Sequence, residues 1–117
     1  MTAHADLRFE TVDGVVIARL RGEIDMSNAG ELGTAITGRV DGDVQAVVLD
    51  LGAVEYLDSA GIRVVYELRE RLSQRGQQLR LVVEPRSPIA AALEYAGAAR
   101  ALGTAQTLQD ALAALED

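Results

Sequence analysis

The chain has 117 residues, and its 18 acidic and 11 basic side chains give a formal net charge of −7. This length is typical of a single domain, and the acidic balance argues against direct binding of nucleic acid, which requires a basic face. The absence of cysteine excludes disulfides and thiolate metal sites and is consistent with a reducing compartment.

The first predicted elements are the two strands of a β-hairpin. Residues 7–11 alternate weakly between apolar and polar side chains, and residues 15–21 alternate clearly. Asp13-Gly14 between them is typical of a two-residue hairpin turn. Residues 22–25, with the sequence Gly-Glu-Ile-Asp, are expected to leave the second strand.

A first helix is predicted next, because apolar side chains recur at helical spacing from residue 29 to residue 40. Ser27 or Asn28 is expected to cap it, and Glu31 lies three residues after Asn28, as in a capping box. Three internal glycines weaken this helix, so we expect it to depend on tertiary packing.

The next segment predicts the centre of the sheet. Residues 44–51 are apolar except for Gln45 and Asp50, which indicates a strand covered on both faces. Residues 52–57 are expected to form a short connector to the following helix.

Residues 59–75 have the clearest helical periodicity in the chain, and Gly76 is expected to end this helix. The predicted buried stripe consists of Ile62, Val65, Leu68 and Leu72. Residues 79–84 predict a further strand. Ser87-Pro88 then caps and opens a helix that extends to about residue 96.

The C-terminal part is less clearly patterned. Residues 98–105 are ambiguous, with a short edge strand near Leu102 as one interpretation. Thr107 and Asp110 form a capping-box pattern before a last helix. The element order predicts one α/β domain, in which an N-terminal hairpin joins a mixed sheet of four to five strands with about four helices. The β-α-β crossovers should be right-handed and their strands parallel.

The tetrapeptide Asp58-Ser59-Ala60-Gly61 follows the predicted central strand and opens the most periodic helix. Partners and ligands of open α/β sheets tend to bind at the C-terminal ends of the strands, where this tetrapeptide is expected to lie. Asp58 or Ser59 could simply cap the helix. A phosphate on Ser59 would suit the same position, since the helix dipole favours negative charge there. Gly61 allows either tight helix packing or close approach of another protein's backbone.

No set of residues supports an enzyme. His4, the only histidine, lies near the terminus, and no histidine cluster or glycine-rich phosphate loop is present. Asp50 is placed like the acceptor aspartate of a response-regulator receiver, but Glu84-Pro85 lacks the lysine that such domains carry. We interpret Asp50 as a structural residue at a strand end, and we expect no cofactor and no metal.

Nor is a targeting or membrane segment predicted. Residues 1–10 lack the basic segment and apolar core of a secretion signal. No stretch approaches the roughly 18 apolar residues of a transmembrane helix. We therefore expect a cytoplasmic protein that does not contact a membrane.

Three segments carry a family resemblance, namely VVLDL (residues 47–51), YLDSAG (56–61) and LRGEID (20–25). In order and spacing they resemble the STAS domain, above all that of the bacterial anti-sigma factor antagonists. The similarity extends over nearly the whole chain, so we expect residues 1–117 to form one STAS domain. D-S-x-G in this setting is fairly specific, whereas G-E-I-D alone would be weak.

The resemblance implies a cycle with a serine kinase that is also an anti-sigma factor. The unphosphorylated antagonist binds the kinase and frees the sigma factor, phosphorylation ends binding, and a phosphatase reverses it. The phosphoacceptor matches Ser59, and Asp25 matches an aspartate near the docking surface. Asp58, Ala60 and Gly61 are expected to contact the partner as well. The alternative is a constitutive interaction module in a lipid-transport complex or a sensory scaffold, without a phospho-switch.

Overall fold

The computed structural model describes residues 4–98 and 102–115. Five strands and four helices occur in these residues, in the predicted order. Their bounds are β1 Ala5–Val12, β2 Val15–Ile24, α1 Ala29–Thr37, β3 Ala46–Leu57, α2 Ser59–Gln74, β4 Gln78–Val82, α3 Pro88–Tyr95, β5 Thr104–Ala105 and α4 Leu108–Ala114. The ambiguous segment thus contains a two-residue strand at 104–105, while residues 99–101 lie outside the described part.

The sheet is mixed, as predicted, with the strand order β1-β2-β3-β4-β5. β1 and β2 pair antiparallel, and each later neighbour is parallel. Asp13 and Gly14 both have positive φ, 50° and 79°, which matches the twist that a two-residue hairpin needs. β3 lies at the centre, in agreement with its apolar sequence.

The pairing of β2 with β3 contradicts two predicted boundaries. Neither residues 22–25 nor residues 52–57 leave the sheet where expected, because β2 continues to Ile24 and β3 to Leu57. Between the pairs Arg19–Asp50 and Arg21–Ala53, β2 advances by two residues and β3 by three. A second shift follows between Gly22 and Glu23 of β2. Each shift is a β-bulge that adds one residue to β3.

These bulges explain why the sequence pattern does not predict a strand in the second half of β3. Leu51, Val54 and Leu57 are all buried, at every third position instead of every second. One extra residue per bulge keeps all three side chains on the same face, so the period of two is lost. Asp50 therefore lies inside the strand and not at its end. Its carboxylate accepts a hydrogen bond from the Gly52 amide at 2.9 Å.

Helices cover the two faces of the sheet unequally. Buried side chains of α1, α2 and α3 join one large cluster with Val16, Ala18 and Leu20 of β2. α4 covers part of the other face, where Ala111 packs against Ile17 and Val48 in a smaller cluster. The predicted α2 stripe is confirmed, with Ile62 the one member that is only partly buried.

Side-chain caps are predicted for α1, α3 and α4, and those of α3 and α4 are confirmed. The Ser87 hydroxyl accepts from the Ala90 amide, and the Thr107 hydroxyl accepts from the Asp110 amide, both at 3.1 Å. The third is wrong, because Asn28 occupies the N-cap position of α1 but its side chain makes no capping hydrogen bond.

Candidate functional site

The site lies at the edge where the parallel strands β2 and β3 end side by side. Ile24 is paired with Leu57, the last residue of β3. The backbone amide of Asp58 donates to the carbonyl of Ile24 at 3.2 Å. This pairing brings the loop of residues 25–28 against the N-terminus of α2, so that the two motifs of the sequence meet.

Asp58 joins these two segments through its carboxylate. Oδ1 accepts a hydrogen bond from the Gly61 amide at 3.0 Å and thereby caps α2. Oδ2 accepts from the Met26 amide at 3.2 Å. The cap interpretation of Asp58 is therefore confirmed, and the same side chain fixes the neighbouring loop.

Ser59 is the first residue of α2 and its side chain is exposed. Because Asp58 supplies the cap, the Ser59 hydroxyl is not needed for that purpose. It makes no hydrogen bond with any group in the described part of the chain. The hydroxyl is accessible, and no neighbouring base activates it.

Asp25 is the first residue of the loop that contacts the N-terminus of α2, and it is half-buried. Its Oδ1 accepts hydrogen bonds from the hydroxyl and the amide of Ser27. These two bonds, the hydroxyl first, lower the pKa of the Asp25 carboxyl below its usual value because they favour the ionised form. The Ser27 hydroxyl is engaged by this contact, in contrast to that of Ser59.

Asn28 is a structural residue of the site whose role the sequence did not indicate. It is only 3% exposed. Its Oδ1 accepts from the Asp25 amide at 3.0 Å, and its Nδ2 donates to the Glu23 carbonyl at 2.9 Å. The side chain therefore holds the loop against the end of β2 through these two hydrogen bonds. Its position before an apolar helix resembles an ordinary cap, and no local signal distinguishes the two roles.

Gly61 and Ala60 face inward more than expected. Gly61 is buried, and a Cβ atom there would clash with Leu57 and lie 3.1 Å from Ile24. The close-packing interpretation of this glycine is therefore confirmed, since Leu57 and Ile24 fill the space that a side chain would need, while contact of Gly61 with a partner stays a prediction. Ala60 is half-buried against the main core. Of the motif's four residues, only Ser59 is exposed.

Comparison with known proteins decides the family. The STAS domain model matches residues 6–111. This chain belongs to the STAS domain family. A crystal structure of an anti-sigma factor antagonist from Mycobacterium paratuberculosis superposes on this STAS domain with a TM-score of 0.84 and 31% sequence identity. That alignment covers 97% of this chain and 95% of the other.

Two curated relatives of the STAS domain are also named as anti-sigma factor antagonists. BtrV of Bordetella bronchiseptica is 40% identical over 68 residues, which are 58% of this chain and 59% of BtrV. RsfB of Mycobacterium tuberculosis, named as an anti-sigma-F factor antagonist, is 37% identical over 62 residues, or 53% of this chain and 51% of RsfB. The matches thus span little more than half the length of each relative.

The described part of this STAS domain contains neither a metal-binding cluster nor a membrane-spanning helix. Within residues 4–98 and 102–115, no three side chains of His, Asp or Glu come together as a metal site. In the same residues no helix has the length and apolar character needed to cross a membrane.

Proposed function

We propose that this STAS domain is an anti-sigma factor antagonist that is switched by phosphorylation of Ser59. In its unphosphorylated form it binds a cytoplasmic serine kinase that is also an anti-sigma factor, and the sigma factor is released. Phosphorylation of Ser59 ends this binding, and a phosphatase restores it. The protein acts by binding, without a cofactor and without direct contact to nucleic acid or membrane.

The observation that carries the proposal is the state of the Ser59 hydroxyl. It is exposed at the sheet edge and has no hydrogen-bond partner in the described residues, whereas the Ser27 hydroxyl nearby is engaged. Both carboxylate oxygens of Asp58 accept backbone hydrogen bonds, so Asp58 is not placed to act as a base. The kinase must supply the base that takes the Ser59 proton while the Oγ–phosphorus bond forms and the bond to ADP breaks.

The position at the start of α2 can accommodate the phosphate. The amides of Ser59 and Ala60 make no hydrogen bond in the described structure, as expected for the first turn of a helix. A phosphate adds about −1.5 to −2 charges, which the helix dipole favours by roughly 0.3–1 kcal/mol. The modified protein should therefore keep its fold.

The switch then acts on docking. A phosphate beside Asp58 adds charge to a surface that a partner must cover, and covering an uncompensated charge is unfavourable. The partner that fits the unmodified hydroxyl has no counter-ion prepared for phosphate, so its affinity falls.

The test is incubation of the purified protein with each candidate serine kinase of the host and ATP, followed by mass-spectrometric site mapping. Labelling at Ser59 that Ser59→Ala abolishes supports the proposal. Labelling that persists at Thr34 or Thr37 contradicts it. If the phosphorylated form binds the kinase undiminished, the constitutive module in a lipid-transport complex or sensory scaffold becomes the better description.

A further inference from the structure

Met26 is exposed to 84%, although hydrogen bonds within the protein hold the backbone of its loop. Every backbone amide from residue 25 to residue 29 donates a hydrogen bond inside the protein. The amides of Asp25, Met26 and Ser27 donate to side-chain oxygens at 2.9–3.2 Å. Those of Asn28 and Ala29 donate to the carbonyl of Asp25 at 3.1 and 2.8 Å.

This hydrogen bonding determines what the loop can offer to another molecule. No amide in residues 25–29 is available to a partner's carbonyl, so a partner cannot be recognised through the amides of this loop. The side chain that the loop exposes most is the thioether of Met26, with the Asp25 carboxylate beside it. The loop also needs little ordering on binding, which removes part of the usual entropic cost.

We propose that Met26 is a docking anchor that enters an apolar pocket on the kinase partner, with Asp25 facing a cation at the rim of that pocket. This inference rests on the proposed function. The Met26 amide is bound to the carboxylate of Asp58, the residue before Ser59, so the anchor and the acceptor hydroxyl are held on one continuous surface. A partner that covers one must cover or border the other.

The chemistry of the side chain fits this role. Methionine is unbranched and polarizable, and it adapts to the shape of an apolar pocket better than a branched residue does. Single exposed apolar residues are common on protein surfaces. Met26 differs from such cases because every backbone amide of its loop donates a hydrogen bond within the protein, and its own amide is bound to Asp58, the residue before Ser59.

Tyr95 provides a matched control on the same molecule. It is 96% exposed, so it presents even more apolar surface. It is the last residue of α3, and α3 takes no part in the described hydrogen bonds that join residues 24–28 to residues 58–61. Tyr95 is therefore not part of the site.

The experiment measures the affinity of purified candidate serine-kinase anti-sigma factors for wild type, Met26→Ala, Met26→Glu, Met26→Leu and Tyr95→Ala by calorimetry. Loss of a fully buried methionine side chain should weaken binding about tenfold or more, and the glutamate should weaken it further. Met26→Leu should stay within about threefold of wild type, and Tyr95→Ala should have no effect. Melting temperatures should be unchanged, since the Met26 side chain lies in water.

The outcomes separate this inference from the proposed function. Wild type that binds a kinase, with Met26→Ala binding equally well, overturns the anchor and leaves the antagonist function intact. An equal loss in Tyr95→Ala also overturns the anchor. Wild type that binds none of the kinases overturns both.

Discussion

The carboxylate of Asp58 accepts a hydrogen bond from the backbone amide of Met26, 32 residues earlier in the chain, at 3.2 Å. The other oxygen of the same carboxylate caps α2 through the Gly61 amide. One side chain thus sets both the start of the helix that bears Ser59 and the position of the adjacent loop. The D-S motif therefore has a structural first residue and an exposed second one.

The two bonds of Asp58 can be separated by substitution. Asp58→Ala removes both and should lower the free energy of unfolding by about 1–2 kcal/mol, as for loss of a helix cap. Asp58→Asn keeps a carbonyl oxygen for Gly61 but turns a donor towards the Met26 amide, so the cap should survive and the loop should loosen. Urea unfolding measures the first effect, and hydrogen exchange at Met26 measures the second. Equal exchange rates at Met26 in wild type and Asp58→Asn would show that the contact does not hold the loop.

Asn28 should be the most sensitive polar side chain of the loop. Asn28→Ala leaves the Asp25 amide and the Glu23 carbonyl without their partner and should destabilise by about 1–3 kcal/mol. Asn28→Asp keeps an acceptor for Asp25 but sets a carboxylate oxygen against the Glu23 carbonyl, and should destabilise more. Chemical denaturation compares both with Ser73→Ala, an exposed change on α2 that should stay within about 0.5 kcal/mol. If Asn28→Ala were as stable as wild type, the two hydrogen bonds of Asn28 would contribute nothing to the free energy of unfolding.

The elements that could be predicted are those set by local signals. The Asp13-Gly14 turn, the Ser87 and Thr107 caps and the periodicity of α2 each depend on neighbours a few residues away. The second half of β3 could not be predicted, because its bulges are defined only by the register with β2. A period of three in Leu51, Val54 and Leu57 matches neither a strand nor a helix until that pairing is known.

The residues of the site likewise divide into those that local sequence signals predict and those that depend on the tertiary structure. Asp58 and Ser59 stood out because they are adjacent at a helix start, which is a local feature. The proximity of Asp25 came only from the family resemblance, since nothing in the sequence relates it to residues more than 30 positions away. The hydrogen bonds of Asn28 and the exposure of Met26 depend on how the loop folds back, so neither could be predicted from the sequence.

Gly61 and Gly30 make a matched pair of substitutions. Gly61→Ala places a methyl group against Leu57 and Ile24 and should destabilise by about 1–3 kcal/mol through overpacking. Gly30→Ala adds a methyl group to a helix where no atom lies within 4 Å, and should stabilise by about 0.4–1 kcal/mol. Thermal unfolding of the two variants gives the signs. If Gly61→Ala were as stable as wild type but had lost kinase binding, Gly61 would be part of the surface that contacts the kinase.

Asp25 should titrate below an ordinary aspartate, and Ser27→Ala should raise its pKa towards the usual value by removing the largest cause of the shift. Since the pKa of Asp25 is lower in the folded than in the unfolded chain, its ionisation stabilises the fold above the unfolded pKa. That contribution is lost as the pH falls through the folded pKa. Carboxyl carbon NMR titration measures the pKa directly, and an unchanged value in Ser27→Ala would refute the assigned cause.

Asp25→Asn keeps an acceptor oxygen for Ser27 but removes the charge. It should weaken kinase binding or phosphorylation while leaving the melting temperature nearly unchanged, because the carboxylate bonds only to its own loop. A large loss of stability with unchanged kinase affinity would instead identify Asp25 as a structural residue of the loop.

The sign of the switch is tested by three substitutions at Ser59. Ser59→Asp and Ser59→Glu place negative charge at the start of α2, where the dipole favours it, so the melting temperature should hardly change. Kinase affinity should fall, because the interface must then desolvate a charge next to Asp58. Ser59→Ala should bind like wild type and, lacking an acceptor, should keep sigma-dependent transcription high.

Thermal unfolding and kinase affinity must be measured on the same preparations, since only a loss of affinity without a loss of stability locates the effect at the surface. A single carboxylate carries less charge and fewer oxygens than a phosphate, so acidic variants that bind as tightly as wild type do not decide the question. Phosphorylated wild type decides it, because it carries the real group on Ser59. If that form also binds undiminished, the charge at this position does not control docking, and the domain is a constitutive interaction module.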